Sequence, residues 1–194
     1  EVVFVDSSVL DYQTLLAGMD LNVEVVMLDK NRDGIAQMAS ALAGRTSIDA
    51  IHIISHGDEG QLQLGTGTLT LESMSGRYAD EFAAIRQSLS ESADLLVYGC
   101  NFAEGDAGQA AVTLLSHLTD ADVAASNDST GFAGLGGDWI LEASTGTIEA
   151  PIVVGEATQA QWDHELASYT VTNTNDSGAG SLRQAITDAN ANAG

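Results

Sequence analysis

The chain has 194 residues, of which 44% are hydrophobic and 18% are charged, a composition typical of folded globular proteins. Six basic residues face 28 acidic ones, so the formal net charge is −22. So acidic a surface repels phosphate backbones and anionic lipids, which argues against nucleic-acid binding. No apolar run in the sequence is long enough to be inserted in a membrane. The single cysteine, Cys100, excludes an internal disulfide.

Short apolar segments alternate with amphipathic helical patterns along most of the chain. The predicted strands are residues 2–8, 23–29, 50–57, 94–100 and 122–126, with a hairpin at 60–73 and two strand-like pieces within 136–149. The predicted helices are residues 11–19, 33–44, 76–90 and 106–121. Strands separated by helices are typical of right-handed βαβ units, so the sequence predicts an α/β fold with a parallel sheet covered on both faces.

Composition divides the chain into three parts. Residues 1–150 carry the alternating pattern, residues 151–168 form an acidic connector that we expect to be exposed, and residues 169–194 are rich in Asn, Thr, Gly and Ala. This short tail has too few large apolar residues to fold by itself. Its phrase GAGSLRQAI resembles the opening of the parallel β-helix repeats of large bacterial surface proteins, which implies that the tail is the truncated start of such a domain.

The third and fourth predicted strands both end in side chains that are capable of catalysis. The tripeptide SHG closes the third at residues 55–57, and YGC closes the fourth at residues 98–100. If these strands are neighbours, His56 and Cys100 meet at one edge of the sheet, where the imidazole can accept the thiol proton. The backbone amides of Gly57 and Cys100 are then the candidate donors to an oxyanion.

The two tripeptides resemble the His-Gly and Cys signatures of caspase-like (clan CD) cysteine peptidases. Cys100 follows His56 by 44 residues, which is similar to the interval of about 50 in caspases. The resemblance covers roughly residues 1–150 and implies a three-layer α/β/α sandwich with a mostly parallel central sheet, acting as a cysteine endopeptidase. The phrase YGCNFAEGD departs from the Gln-Ala-Cys-x-Gly signature of caspases, so aspartate specificity is not implied.

The same stretch is similar to a bacterial domain of unknown function near the start of giant secreted adhesin-like proteins, which implies an extracellular or cell-surface setting. A peptidase joined by a connector to a surface-repeat domain suggests a polypeptide substrate, its own chain included. Toxin-borne relatives of the caspase-like fold cleave after leucine, so Leu166-Ala167 is the candidate self-cleavage bond. Asp128 follows the fifth strand, where relatives build part of the first specificity pocket, and would favour a basic residue there.

A non-catalytic function is the alternative to the peptidase hypothesis. Caspase-like scaffolds need not turn over substrate, so the domain is alternatively an interaction or capping module of an adhesin. A lone cysteine such as Cys100 is often a small buried hydrophobe. His52, which lies in the apolar interior of the same strand as His56, is interpreted as a core histidine.

The loop DKNRDG at residues 29–34 matches the first half of a calcium-binding loop. Asp29, Asn31 and Asp33 have the spacing of calcium ligands, but the twelfth position is Ser40 where a bidentate Glu is needed. A turn that caps the following helix explains the same residues. Calcium is therefore a weak candidate, and the sequence calls for no other cofactor.

Overall fold

The computed structural model describes residues 1–20, 22–167, 171, 173–178 and 180–191. The strands are β1 (Val2–Asp6), β2 (Glu24–Leu28), β3 (Ile48–Ile54), β4 (Gly57–Asp58), β5 (Gln61–Leu64), β6 (Gly67–Leu69), β7 (Leu89–Val97), β8 (Asp122–Ala125) and β9 (Ala143–Ser144). The helices are α1 (Tyr12–Ala17), α2 (Gly34–Leu42), α3 (Leu71–Ser75), α4 (Ala79–Ser88), α5 (Gly105–Thr119), α6 (Glu156–Gln159) and α7 (Leu182–Ala191).

A six-stranded sheet in the order β2-β1-β3-β7-β8-β9 organises the fold. Its strands pair in parallel except for β9, which is antiparallel to β8. The predicted α/β class with a mostly parallel sheet is therefore confirmed. Strands β3 and β7 are direct neighbours, with Ile53 paired to Val97 near their carboxyl ends. A small antiparallel sheet of β4, β5 and β6 follows β3, in agreement with the predicted hairpin.

The sheet buries apolar side chains on both faces. Along β1, Val2 and Phe4 enter one core while Val3 and Val5 enter the other, because successive strand residues point to opposite faces. Helices α2, α4 and α5 pack together and cover the first face. Helix α1 and the segments that follow β9 cover the second. The sheet consequently lies between two layers, and its strands are nearly continuous in apolar residues.

The predicted helix 76–90 is wrong in its extent. Helix α3 begins earlier, where Thr70 and Ser73 form a capping box, and Gly76 ends it. Helix α4 then begins at Ala79, and Leu89 already belongs to β7. Of the predicted strand pair within 136–149, only β9 forms a strand.

Residues 151–167 pack against the second core. Val153, Val154, Trp162 and Leu166 are buried there, so the expectation of an exposed connector is wrong for the apolar side chains of this segment. These residues lack the periodic pattern of a strand or helix, and their burial depends on contacts with distant parts of the chain. The last residue of the predicted connector, Ser168, lies outside the described residues.

The described part of the predicted tail contains helix α7. Residues 169, 170, 172, 179 and 192–194 lie outside the described part of the chain, so the expected β-helix start is only partly covered. Among the described residues, no helix combines the length and the apolar character needed to cross a membrane.

Candidate active site

The carboxyl ends of β3 and β7 approach each other closely because both are followed by glycine. A Cβ atom on Gly57 would lie 2.6 Å from the Cys100 carbonyl oxygen and 2.9 Å from the Gly99 Cα. A Cβ atom on Gly99 would lie 2.4 Å from a methyl carbon of Leu62. Only glycine allows the two backbones to come this near. The sequence therefore brings the residue after His56 against the residue before Cys100.

Cys100 occupies a tight turn directly after β7. The Phe102 N–H donates to the Gly99 carbonyl at 3.2 Å, and Asn101 adopts a left-handed φ of 58°. Asn is one of the few non-glycine residues that tolerate this conformation at the third position of a turn. Two further backbone bonds hold the turn, from Asn101 N–H to the Asp128 carbonyl and from Ala103 N–H to the Ser126 carbonyl.

The Cys100 thiol is buried against Thr130. The Thr130 N–H donates to Sγ at 3.1 Å, and Sγ lies 3.5 Å from the Thr130 carbonyl oxygen. Burial raises the pKa of the thiol to about 12, and the hydrogen bond from Thr130 N–H opposes this only in part. The negative charge of Glu165 raises the pKa further. In this arrangement the thiol is protonated at neutral pH.

The His56 ring has one engaged nitrogen and one free nitrogen. Nε2 lies 3.5 Å from the Ser8 carbonyl oxygen. A carbonyl only accepts hydrogen bonds, so Nε2 carries the proton in the neutral ring and Nδ1 presents its lone pair. Nδ1 is buried and has no hydrogen-bond partner among the described residues. No hydrogen bond joins this ring to the Cys100 sulfur within that part of the chain.

The Ser8 carbonyl is held in place by Asp6, the last residue of β1. Asp6 is fully buried, and its Oδ1 accepts hydrogen bonds from the Ser8 N–H at 2.8 Å and from the Ser8 hydroxyl at 2.6 Å. Its other oxygen accepts from the Gly65 N–H of the β5–β6 turn. The loop that faces His56 is therefore fixed by a buried carboxylate with several donors.

The two predicted oxyanion donors bind one carbonyl of the chain itself. The Gly57 N–H donates to the Leu166 carbonyl oxygen at 2.9 Å, and the Cys100 N–H donates to the same oxygen at 3.3 Å. Leu166 is also the residue before the predicted cleavage bond. Two convergent backbone N–H groups are the arrangement that stabilises the oxyanion of a tetrahedral intermediate.

Leu166 belongs to an extended segment that pairs with the loop after β8. The Phe132 N–H donates to the His164 carbonyl at 2.9 Å, and the Leu166 N–H donates to the Thr130 carbonyl at 2.9 Å. An antiparallel bridge joins Glu165 to Gly131 between these two bonds. The Leu166 side chain has no exposed surface. On the other side of the bond, Ala167 forms a parallel bridge with Gly57 and is partly exposed.

Asp128 supports the Cys100 turn through its backbone, since its carbonyl oxygen accepts from the Asn101 N–H at 2.7 Å. It is exposed and its carboxylate lies 3.4 Å from the Ser126 hydroxyl. Burial raises the pKa of Asp128, and the charges of Glu142 and Asp138 raise it further. Leu166 belongs to the same buried apolar cluster as Cys100, and a role of Asp128 in a specificity pocket stays a prediction.

Asp128, Asp138 and Glu142 are the group of acidic residues that the described part of the chain brings within metal-binding distance of one another. Their carboxylate oxygens lie within 4.8 Å. Asp138 and Glu142 also bond backbone amides, with Ile140 N–H and Asn127 N–H as the donors. Exposed acids of this kind often cluster without a cation, so the group does not by itself indicate a metal site.

The calcium candidates in the loop before α2 have structural partners. Asp33 caps α2 by accepting from Ala36 N–H at 3.2 Å, and its other oxygen accepts from Arg77 at 2.6 Å and from the Tyr78 hydroxyl at 2.8 Å. Asp29 accepts from the N–H of Asn31 at 2.9 Å. The helix-capping interpretation thus accounts for Asp33, and calcium binding by this loop stays a prediction.

The sequence did not identify Thr130, Ser8 or Trp162 as parts of the site. Thr130 and Ser8 act through backbone groups, and no side-chain pattern reveals such groups. Trp162 is a large aromatic residue in a segment without periodicity. Its presence, together with the short apolar run at residues 152–154, was the available signal that this segment is buried.

A family model for a domain of unknown function (DUF4347) matches residues 2–166. The match therefore includes Leu166 and most of the predicted connector. No curated protein matches the chain.

Proposed function

Since the chain belongs to this family of domains of unknown function, we propose from its site that it is a caspase-like cysteine endopeptidase that cleaves its own chain between Leu166 and Ala167. Cys100 is the nucleophile, and His56 is the general base and acid. The amides of Gly57 and Cys100 stabilise the oxyanion. The substrate is a polypeptide segment of the same molecule.

The position of the Leu166 carbonyl carries this proposal. A carbonyl oxygen bound by two backbone N–H groups, one of them from the nucleophile itself, has the geometry of a bound substrate. The antiparallel pairing of residues 164–166 with residues 130–132 supports the same interpretation, because extended peptides commonly bind by adding a strand. The family match ends at residue 166, which agrees with a functional unit that ends at the proposed bond.

In the first step the Cys100 sulfur attacks the Leu166 carbonyl carbon as the thiol proton passes to His56. The carbonyl oxygen becomes an oxyanion held by Gly57 N–H and Cys100 N–H. The C–N bond to Ala167 then breaks, and His56 returns the proton to the departing Ala167 amine. The products of this step are a Leu166 thioester on Cys100 and a free amino terminus at Ala167.

In the second step water hydrolyses the thioester. His56 accepts a proton from the water, whose oxygen attacks the Leu166 carbonyl carbon. The C–S bond breaks, and the proton passes from His56 to the Cys100 sulfur. The step restores the thiol and leaves a carboxylic acid at Leu166, which loses its proton to water and becomes a carboxylate, so no oxidant, metal or cofactor is needed.

The protonated thiol describes a resting state of the proposed enzyme. Sγ is engaged with Thr130 and is not hydrogen-bonded to His56, so attack requires the thiol to leave Thr130 and turn towards the ring. Catalytic hydrogen bonds are often long before the reactive complex forms, and this arrangement is compatible with a slow first turnover. A slow first turnover is sufficient for self-cleavage, because each chain is cut only once.

Mass spectrometry of the purified full chain tests the proposal. Wild type is incubated at neutral pH, with and without calcium, beside a Cys100→Ala variant. We expect wild type to yield two fragments that separate between Leu166 and Ala167, and Cys100→Ala to stay intact. Intact wild type under both conditions would contradict the proposed activity.

A Leu166→Asp variant provides a control for the position of the cut. A charged side chain is costly in the fully apolar environment of Leu166, so cleavage at this bond should be lost. Asp163→Ala, an exposed change in the same segment, should be cleaved as wild type is. Cleavage of the Leu166→Asp variant at the unchanged bond would contradict the assignment of Leu166 to the pocket.

The second candidate function is a non-catalytic interaction or capping module. The raised pKa of Cys100 and its bonds to Thr130 favour it, because a structural thiol has the same properties. In this case the Leu166 segment is a permanent part of the core. Resemblance to domains of secreted adhesins and the acidic composition support an extracellular or cell-surface setting for either function.

A further inference from the structure

Trp162 is a fully buried side chain of the segment that enters the proposed active site. It has no exposed surface, and its ring packs edge-on against Trp139 at 5.7 Å and against His164 at 5.6 Å between centroids. Asp163, the next residue, has 63% of its side chain exposed. Burial is therefore concentrated at the two ends of the five residues from Trp162 to Leu166.

The indole of Trp162 is tied to the loop that supports the catalytic histidine. Its Nε1–H donates to the Leu10 carbonyl oxygen at 3.0 Å. Leu10 lies two residues after Ser8, whose carbonyl faces His56 Nε2. The Leu10 side chain is 63% exposed and so contributes little to holding its own backbone. The indole thus adds, from the substrate side, a further attachment to a loop that Asp6 and the buried Val9 also hold.

The bridge to Gly131 shows that residues 164–166 are extended, so His164 and Leu166, two residues apart, point to the same side. The Trp162 ring lies against the His164 ring at 5.6 Å between centroids, which places Trp162 on that side as well. The exposure pattern agrees, since Asp163 is exposed between Trp162 and the half-buried His164. A Trp four residues before Leu166 can therefore fill one pocket while Leu166 fills another.

We propose that Trp162 is a second specificity determinant of the self-cleavage and a positioning residue for His56. This inference rests on the proposed function. The substrate class is a polypeptide strand with the pattern Trp-x-x-x-Leu before the cleaved bond. The Leu binds beside Cys100, and the indole N–H fixes the loop of Ser8 and Leu10, which orients the imidazole.

Cleavage rates of three full-length variants test this role. Trp162→Phe keeps an aromatic ring but loses the indole N–H and the volume of one ring, so we expect the chain to fold and the cut after Leu166 to be about fivefold slower. Trp162→Ala empties the pocket and should slow the cut by at least about tenfold. Asp163→Ala changes the adjacent exposed residue and should leave the rate within about twofold of wild type. Thermal melting and circular dichroism check that each variant is folded.

The pH dependence of the cut separates positioning from a merely structural role. Loss of the bond to the Leu10 carbonyl should shift the pH profile of the Trp162→Phe rate, because the Ser8 carbonyl no longer faces the imidazole in the same way. The Asp163→Ala profile should overlay that of wild type. A Trp162→Phe chain that is cut at the wild-type rate with an unchanged profile would overturn the proposal.

A thiol-labelling measurement distinguishes failure of this inference from failure of the proposed function. If wild type is never cut, the peptidase assignment fails, and iodoacetamide labelling of Cys100 then reports on the anchor alone. Faster labelling of folded Trp162→Ala than of Asp163→Ala would show that Trp162 holds the segment over the thiol. Equal labelling rates would show that Trp162 does not hold the segment over the thiol, and this inference would fail as well.

Discussion

Two histidines four residues apart, one within β3 and one just after it, have opposite environments. His52 in the interior of β3 has no exposed surface, and both of its nitrogens are engaged, Nδ1 with the Tyr98 hydroxyl at 3.1 Å and Nε2 with the Glu1 carboxylate at 3.3 Å. His56, beyond the carboxyl end of β3, has one nitrogen at the Ser8 carbonyl and the other without a partner. The fully satisfied ring stabilises the fold, while the half-satisfied ring keeps a lone pair that the proposed proton transfer would use.

The polar contacts of His52 form one connected set. The Val153 N–H donates to the Tyr98 hydroxyl at 3.2 Å, so the hydroxyl proton is directed to His52 Nδ1 and Nε2 carries the ring proton towards Glu1. Burial lowers the pKa of His52 against the opposing effect of Glu1. The ring is therefore neutral at neutral pH and links the sheet to the segment after β9.

The largest expected difference between the two histidines is in the rate of self-cleavage after each is replaced. His56→Ala should slow the cut by about 10²–10⁴-fold, since it removes the general base and acid. His52→Leu should leave the rate close to that of wild type in the folded fraction. Fragment masses followed over time give both rates, and comparable losses in the two variants would contradict the separate roles.

The second effect concerns stability, for which we expect His52→Leu to be more damaging than His56→Ala. His52→Leu leaves the buried Tyr98 hydroxyl without its acceptor, which should lower the free energy of unfolding by about 1–3 kcal/mol. His56→Ala, at a partly buried loop position, should cost less. Urea unfolding of both variants in a Cys100→Ala background, which cannot cleave itself by the proposed route, measures the difference. A larger loss for His56→Ala would reverse the assignment.

A third and smaller effect is the pH dependence that His52 contributes. Its pKa is lower in the folded than in the unfolded chain, so the unfolded chain binds the extra proton first as the pH falls. The stabilising contribution is present above the unfolded value of about 6.5 and is lost as the pH falls below it. Urea unfolding at pH 7.5 and pH 5.5 should show this loss in Cys100→Ala, and a smaller loss once His52→Leu is added.

The smallest expected effect is on the pKa of the Cys100 thiol. The negative charge of Glu165 is one of the causes that raise the pKa of Cys100, so Glu165→Gln should lower it slightly. We expect iodoacetamide to label Cys100 of this variant about two- to threefold faster than wild type at pH 8.5. Asp163→Ala removes a neighbouring exposed charge and is the matched control. Equal rates for Glu165→Gln and wild type would show that burial alone sets the pKa.

The parts of the site that could be predicted are those that the sheet topology places. Apolar runs identified β3 and β7, and their adjacency brought the Gly57 and Cys100 amides to one edge. The site's remaining groups could not be predicted in the same way. The carbonyls of Ser8, Leu10 and Thr130 carry no side-chain signal, and their positions follow from tertiary contacts.

The segment after residue 150 shows why burial cannot always be predicted from the pattern of the sequence. Its polar composition suggests an exposed connector, yet Trp162 and Leu166 are buried because the segment pairs with residues 130–132 and closes the second core. The helix predicted over residues 76–90 is shorter in the structure for a local reason, since Gly76 ends α3, α4 begins only at Ala79 and Leu89 already belongs to β7. The capping side chains of Thr70 and Ser73 could have indicated that a separate helix ends at Gly76.

The contacts of Trp162 and of the Leu166 carbonyl lie upstream of the proposed bond and belong to the amino-terminal fragment. Immediately downstream, Ala167 has a bridge to Gly57 and packs in part against the second core. Hydrolysis would therefore release the downstream polypeptide and leave the new carboxyl terminus seated over the nucleophile. Each molecule would then act once and afterwards carry its own competitive inhibitor, so the number of cuts could never exceed the number of chains.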